Sequence, residues 1–273
     1  MHGWQVTFFT KKNCRTLLVL NYLNEGVIVR NAYDFDCREQ TSFWYVIKDS
    51  FGGMEELSSK MRNQVRKSFK TYDVRRISRE EFCRVALPVY NAALSSYKVK
   101  AQLVTQDDIV STSQGPNKDF WGVYAKGNGQ VVAVAVNTLT GGNCYYNSLK
   151  ALPEAMHNST YPYYGLLYEM NRYYLQECGL HCVCDGARSI TEHSNIQPFL
   201  IDKFHFRKAY CRLRITYKWW FGTVVRLLYP LRSIISHPKI KAVLSMEANK
   251  CQLVYLFRQR ISLESLQQCQ TTV

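Results

Sequence analysis

Six consecutive residues, Val131-Val132-Ala133-Val134-Ala135-Val136, are apolar at every position. An extended strand turns alternate side chains to opposite faces, so a strand of this composition needs cover on both. That requirement rules out a sheet with one wet face and calls for helices on each side. The neighbouring sequence fits: Phe120 to Lys126, Gln130 to Thr140 and Cys144 to Leu149 are strand-like and are separated by Gly127-Asn128-Gly129 and Gly141-Gly142-Asn143. Such turn-forming linkers predict an antiparallel three-stranded meander.

Helical patterns surround it. Leu57, Met61, Val65 and Phe69 recur every four residues among Lys60, Arg62, Arg66, Lys67 and Lys70, a basic amphipathic helix. Ser78 with Glu81 three residues on has the form of a capping box, and the stripe Phe82, Val85, Ala86, Val89, Ala93 follows, with a kink expected at Pro88. Tyr163 to Cys178 places Leu166, Leu167, Met170 and Tyr174 on one face and ends at Gly179, where a left-handed cap belongs. Leu180 to Cys184 reads as a short strand ending at Asp185-Gly186, and Asn195 to Phe204 as a helix with Pro198 in its first turn. In the last strand Ala209, Cys211, Leu213, Ile215 and Tyr217 alternate with Tyr210, Arg212, Arg214, Thr216 and Lys218. Val27 to Val29 and Phe43 to Ile47 add two strands near the start. The fold class is α/β (α+β): a mixed, largely antiparallel sheet with helices on both faces.

Length and charge bound the function. A chain of 273 residues, 47% hydrophobic, can bury a full core as one large domain or two small ones. No apolar run approaches the roughly 20 residues of a membrane span, and Leu17 to Leu20 is too short for a signal peptide. The ten cysteines are spread through predicted helices and strands, which predicts reduced thiols and a cytoplasmic setting. Cys178, His181, Cys182 and Cys184 lack the paired Cys-x-x-Cys spacing of a zinc site, so no metal is expected. The net charge of +14 favours an anionic partner, and from Lys203 through Met246 there are ten Lys or Arg and no Asp or Glu.

The order strand, strand, strand, helix, strand, helix, strand from Phe120 to Tyr217 resembles the core of the GNAT superfamily of acyltransferases. Phe199 to Lys208 is similar to that family's Tyr-x-Lys-x-Gly-Phe junction: Lys203 and Phe206 match, and His205 replaces the glycine. Two more segments resemble the Fem-like branch, which includes the peptidoglycan aminoacyltransferases. These are Leu57 to Lys67, like its basic early helix, and Leu166 to Gly179 followed by Cys184-Asp185-Gly186, like its helix-strand-Asp-Gly unit. The resemblance implies a smaller GNAT-like N-terminal half over 1–115, an acyltransferase core over 116–218 and a basic amphipathic tail over 219–273. It implies acetyl coenzyme A or another acyl donor. The long helical hairpin of the peptidoglycan enzymes has no room in this chain, which counts against a transfer-RNA-linked donor, and no other nucleic acid is expected.

Transfer to an amine needs a neutral nucleophile and a proton for the leaving group. Bringing a lysine-like amine from pKa about 10.4 to neutrality at pH 7 costs roughly 4 to 5 kcal/mol, and a positioned carboxylate lowers that barrier. Asp185, at the carboxyl end of a central strand, is the candidate base and Tyr146 the candidate acid. The family's phosphate-binding glycine loop is replaced by Ser159-Thr160-Tyr161-Pro162-Tyr163-Tyr164-Gly165, so Tyr163, Tyr164 and Gly165 at the helix start are the donor-binding candidates. Arg188, Ser189, Asn195 and Lys203 are the candidates to grip an anionic acceptor such as a cell-envelope or lipid-linked sugar precursor. Lys218, Arg226, Arg232, Lys239 and Lys241, with Trp219, Trp220 and Phe221, suit peripheral contact with an anionic membrane through 218–241. A non-catalytic GNAT-fold protein that binds a membrane or an anionic ligand is the other reading that composition leaves open.

Overall fold

The computed structural model of the chain describes residues 27–97, 101–188 and 196–237, and parts of 240–248. The chain opens with β1 (Ile28–Tyr33), β2 (Phe43–Lys48), α1 (Ser59–Thr71), β3 (Tyr72–Ile77), α2 (Arg79–Ser95) and α3 (Gln106–Ser113). The expected meander follows as β4 (Lys118–Ala125), β5 (Val131–Thr140) and β6 (Asn143–Ala151). Then come α4 (Pro153–His157), α5 (Pro162–Asn171) and a π-helical continuation, Arg172–Glu177. The last described elements are β7 (Cys182–Ala187), α6 (Ile196–Phe204), β8 (Arg207–Tyr217) and α7 (Trp219–Leu228), which ends in a short 3₁₀ turn, Tyr229–Leu231.

Two compact units share these elements. One draws on the described residues of Met1–Tyr45, Ala187–Asn195 and Lys208–Val273; the other is Val46–Gly186 with Ile196–Arg207. Neither is one continuous stretch of chain, so this division by compactness is a different one from the sequence-order division at 115 and 218.

In the larger unit the strands lie in the order β7-β6-β5-β4-β3. The pairs β3–β4, β4–β5 and β5–β6 are antiparallel, whereas β6–β7 is parallel. β5 is the central strand that its composition predicts, with Ala133 to Val136 fully buried. Each valine there contributes about 1.5–3 kcal/mol of burial. Neighbouring positions on β4 show helices on both faces. Phe120 stacks on Phe82 of α2 with ring centroids 4.8 Å apart, and Trp121, pointing the other way, donates its indole N–H to Tyr174 Oη at 2.8 Å in the π-helical segment.

Two bulges interrupt the ladder, between Val123 and Tyr124 and between Val136 and Asn137. At the second, Val136 pairs with Ser148 and Asn137 with Tyr146, which leaves Asn147 as the extra residue on β6. Gly179 closes the helix at φ +61°, as its position predicts.

The capping at Ser78 differs from expectation by half. Ser78 Oγ accepts the Glu81 N–H at 3.1 Å, but the Glu81 carboxylate accepts from Tyr124 Oη at 2.7 Å and Arg75 Nη2 at 2.8 Å. Strand neighbours supply stronger donors than the cap. The reciprocal box instead stands at Thr105 and Asp108, at the start of α3.

In the smaller unit β1 pairs antiparallel with β8 from Ile28 opposite Tyr217 to Tyr33 opposite Arg212. Ala209, Cys211, Leu213 and Ile215 are buried, as their alternation predicts.

Candidate active site

β6 and β7 lie side by side for three residue pairs: Asn143 with Cys182, Cys144 with Val183 and Tyr145 with Cys184. β6 continues to Ala151 and β7 to Ala187. The strands therefore part at Tyr146 and Asp185, the next residue on each, and their facing backbone groups no longer bond one another.

Asp185 occupies that fork. Burial pushes its carboxyl up from an ordinary 3.8 to about 7, against a side-chain hydrogen bond with Gln197 of α6 that favours the charged form. A carboxylate of this pKa divides its time at neutral pH between holding a proton and accepting one, which suits a general base.

Tyr146 is 5% exposed, and its hydroxyl donates to Asn171 Oδ1 of α5 at 2.8 Å. Burial holds its pKa well above the usual tyrosine value, and the nearby Cys144 and Asp185 act in the same direction. The phenol thus keeps its proton across the working range. Tyr174 and Phe206 flank it with ring centroids 6.3 and 6.4 Å away.

A polar network lies behind this face. Tyr174 Oη donates to Asp119 Oδ2 at 2.6 Å and accepts from Asn137 Nδ2 at 2.9 Å and from the Trp121 indole. Asp119 is bound from outside by Arg76, Nη2 at 2.8 Å and Nε at 3.0 Å from Oδ1. Asn137 Oδ1 and Asn171 Nδ2 are buried and have no hydrogen-bond partner among the described residues.

The structure brings Asp185 and Tyr146 together and adds Asn171 and Gln197, which the sequence analysis did not single out. Asn171 carried a signal: it stands four residues after Leu167, a polar side chain in the apolar stripe of its helix.

At the start of α5 the amides are largely engaged. Pro162 has none, the Tyr164 N–H bonds Tyr161 O at 3.0 Å, and the Gly165 N–H bonds Ser68 Oγ of α1 at 3.2 Å. A Cβ on Gly165 would lie 2.4 Å from that oxygen, so the glycine is where α5 closes on α1. Tyr164 packs on Phe199 of α6 with centroids 5.1 Å apart, and burial raises the Tyr163 hydroxyl pKa.

Lys203 is exposed in the last turn of α6. Arg188 belongs to the smaller unit, where its Nη1 donates to Ser42 O at 2.7 Å and its guanidinium lies 4.4 Å from the Trp44 ring centroid. Ser189 and Asn195 lie outside the described residues. Among the described residues no group of three or more His, Cys, Asp or Glu is placed to hold a metal ion. No described helix is long and apolar enough to cross a membrane.

No protein-family model matches the chain, and no curated protein matches it in sequence. Solved structures do. The crystal structure of FemX superposes with a TM-score of 0.55 at 10% identity, covering 78% of each chain. This is a Fem-like GNAT fold. The structure of L-PGS from Bacillus licheniformis is matched at a TM-score of 0.45 and 12% identity, over 78% of this chain and 69% of that one. Within the Fem-like fold of this chain, the meander β4 to β6, the helix α5 and the parallel strand β7 frame the fork that holds Asp185.

Proposed function

We propose that the chain is an acyltransferase that moves an acetyl or aminoacyl group to an amine or hydroxyl acceptor, with Asp185 as general base and Tyr146 as general acid. The observation that carries this reading is the half-buried carboxyl of Asp185, held at about pKa 7 beside a protonated, buried phenol where two parallel strands diverge. The likeness to FemX supports it at the level of fold.

In the reaction, the lone pair of the neutral acceptor amine attacks the acyl carbon while the nitrogen gives up its surplus proton to the Asp185 carboxylate, which then releases it to solvent. The new C–N bond forms as the carbon–sulfur bond of a thioester, or the carbon–oxygen bond of an ester, breaks. The Tyr146 hydroxyl donates a proton to the departing sulfur or oxygen and recovers one from solvent. Because the Tyr164 and Gly165 amides are already engaged, α5 offers a donor phosphate little there. The donor's anionic end must then be held by cations of this strongly basic chain, for which Lys203 is a candidate.

Thermal unfolding with and without acetyl coenzyme A, with coenzyme A and ATP as controls, tests the donor. A ligand that binds only the folded state raises the midpoint with its concentration. A rise specific to the coenzyme supports a thioester donor. No rise with millimolar coenzyme, together with a rise on adding aminoacyl-transfer RNA, assigns the donor to the ester class.

A further inference from the structure

α7 leaves the end of β8 and is held by one side of its surface. Val225 is buried, Phe221 turns toward Tyr217 with ring centroids 6.0 Å apart, and a Cβ on Gly222 would lie 3.3 Å from Tyr217 Cβ. The opposite side is apolar and uncovered by any described residue. Trp220, Val224 and Leu227 follow one another on α7 at intervals of four and three residues, all exposed, with Trp219 beside them, and the exposed Leu231 and Ile234 follow in the turns after the helix. Trp219 is 85% exposed, Leu227 69% and Ile234 78%. Water-facing apolar side chains in one continuous stripe mark an interaction surface, whereas scattered ones do not.

We propose that this stripe docks on the surface of an anionic phospholipid bilayer, with α7 lying in the plane of the headgroups. Charge selects this occupant. Lys218, Arg226 and Arg232 are interspersed with the stripe along the chain and Lys241 follows it, and no acidic residue occurs from Lys203 through Met246. A second copy of the chain would set these cations against their own kind. A lipid surface with phosphate headgroups neutralises them, and each Lys or Arg near it raises partitioning on the order of fivefold. Indole rings settle at such interfaces, apolar body inward and N–H toward water. The segment is too short to span the bilayer, and an amphipathic helix of this kind lies on it. Phe221 is not part of the anchor, because it faces inward.

The test is co-sedimentation of the full chain with vesicles of phosphatidylcholine alone and of phosphatidylcholine with about one-third phosphatidylglycerol, alongside the double variant Trp219→Ser, Leu227→Ser. Both positions are exposed, so the variant should fold, which an unchanged thermal midpoint confirms. The wild type is expected to bind the anionic vesicles at least about tenfold more than the neutral ones, with a blue shift of tryptophan emission and weaker binding at high salt. The variant is expected to lose about tenfold. Failure of the wild type to bind anionic vesicles overturns the proposal, as does equal binding by the variant. A wild-type dimer in sedimentation velocity that the variant dissociates also overturns it, since the stripe would then be covered by a second copy. Binding is read without reference to acyl transfer, so the two proposals stand or fall separately.

Discussion

Tyr146 and Asn171 join β6 to α5 through a 2.8 Å hydrogen bond between a buried phenol and a buried amide oxygen. The bond fixes the phenol beside Asp185 at the fork of the two parallel strands. Replacing Tyr146 with Phe leaves the Asn171 oxygen without its donor in the interior, at a cost of about 1–2 kcal/mol. Urea denaturation should show that loss. Acyl transfer should fall roughly 10²-fold with the KM for the donor little changed. Lost stability with full activity would reduce Tyr146 to a packing residue.

Asp185 links stability to pH. The folded state keeps its proton up to about pH 7, whereas an unfolded aspartate releases it near 3.8. Between those values the folded state binds more protons, so stability falls as pH rises through the window. Asp185→Asn removes the buried charge. After allowance for partial exposure, the variant should exceed the wild type by about 2 kcal/mol at pH 8. The gap should close toward pH 4. Urea midpoints for both proteins across this range decide it, and parallel curves would contradict the assigned pKa.

Much of this architecture is legible in the sequence, for physical reasons that differ by element. The all-apolar Val131 to Val136 can only be a covered central strand, and the alternation from Ala209 to Tyr217 can only put one face inward. The placement of Asp185 and Tyr146 on neighbouring strands is legible because a strand's carboxyl end and a tyrosine on the preceding strand are defined by order along the chain. What local pattern does not reveal is competition among distant partners. Glu81 turns from its cap because Tyr124, 43 residues on, offers a shorter bond. The Val136/Asn137 bulge and the π-helical turns at Arg172–Glu177 shift side chains without altering the apolar periodicity that predicts a strand or a helix. The box at Thr105 and Asp108 has the Thr-x-x-Asp spacing that a local pattern does carry.

Gly165 is expected to tolerate no side chain. A methyl group there meets Ser68 Oγ at 2.4 Å and Ser68 Cβ at 3.1 Å. Gly165→Ala should cost about 1–3 kcal/mol as overpacking. Adding Ser68→Ala should recover part of it, because the nearest remaining atom is then the Cβ. Thermal midpoints of the two single variants and the double variant measure the coupling. Strictly additive losses would show that the two sites do not meet.

Arg76 neutralises a carboxylate that is almost wholly buried. Asp119 is 5% exposed and accepts from both Arg76 and Tyr174. Arg76→Met leaves that charge facing one phenol. With the outer half of the pair solvated, the loss should be about 2 kcal/mol, below the 3–5 kcal/mol of a fully buried pair. Chemical denaturation at pH 7 checks this, and a loss under about 0.5 kcal/mol would place the pair among ordinary surface bridges.

Acyl transfer itself is measured most directly by the release of label from acetyl coenzyme A or aminoacyl-transfer RNA onto amine and hydroxyl acceptors, with wild type and Asp185→Asn compared between about pH 5 and 9. The wild type should transfer from one of these donors with kcat/KM rising through about pH 7, and the variant should lose 10²- to 10⁴-fold together with that limb. Transfer by Asp185→Asn at the wild-type rate and with the same pH profile, or no transfer from either donor by the wild type, would contradict the assignment.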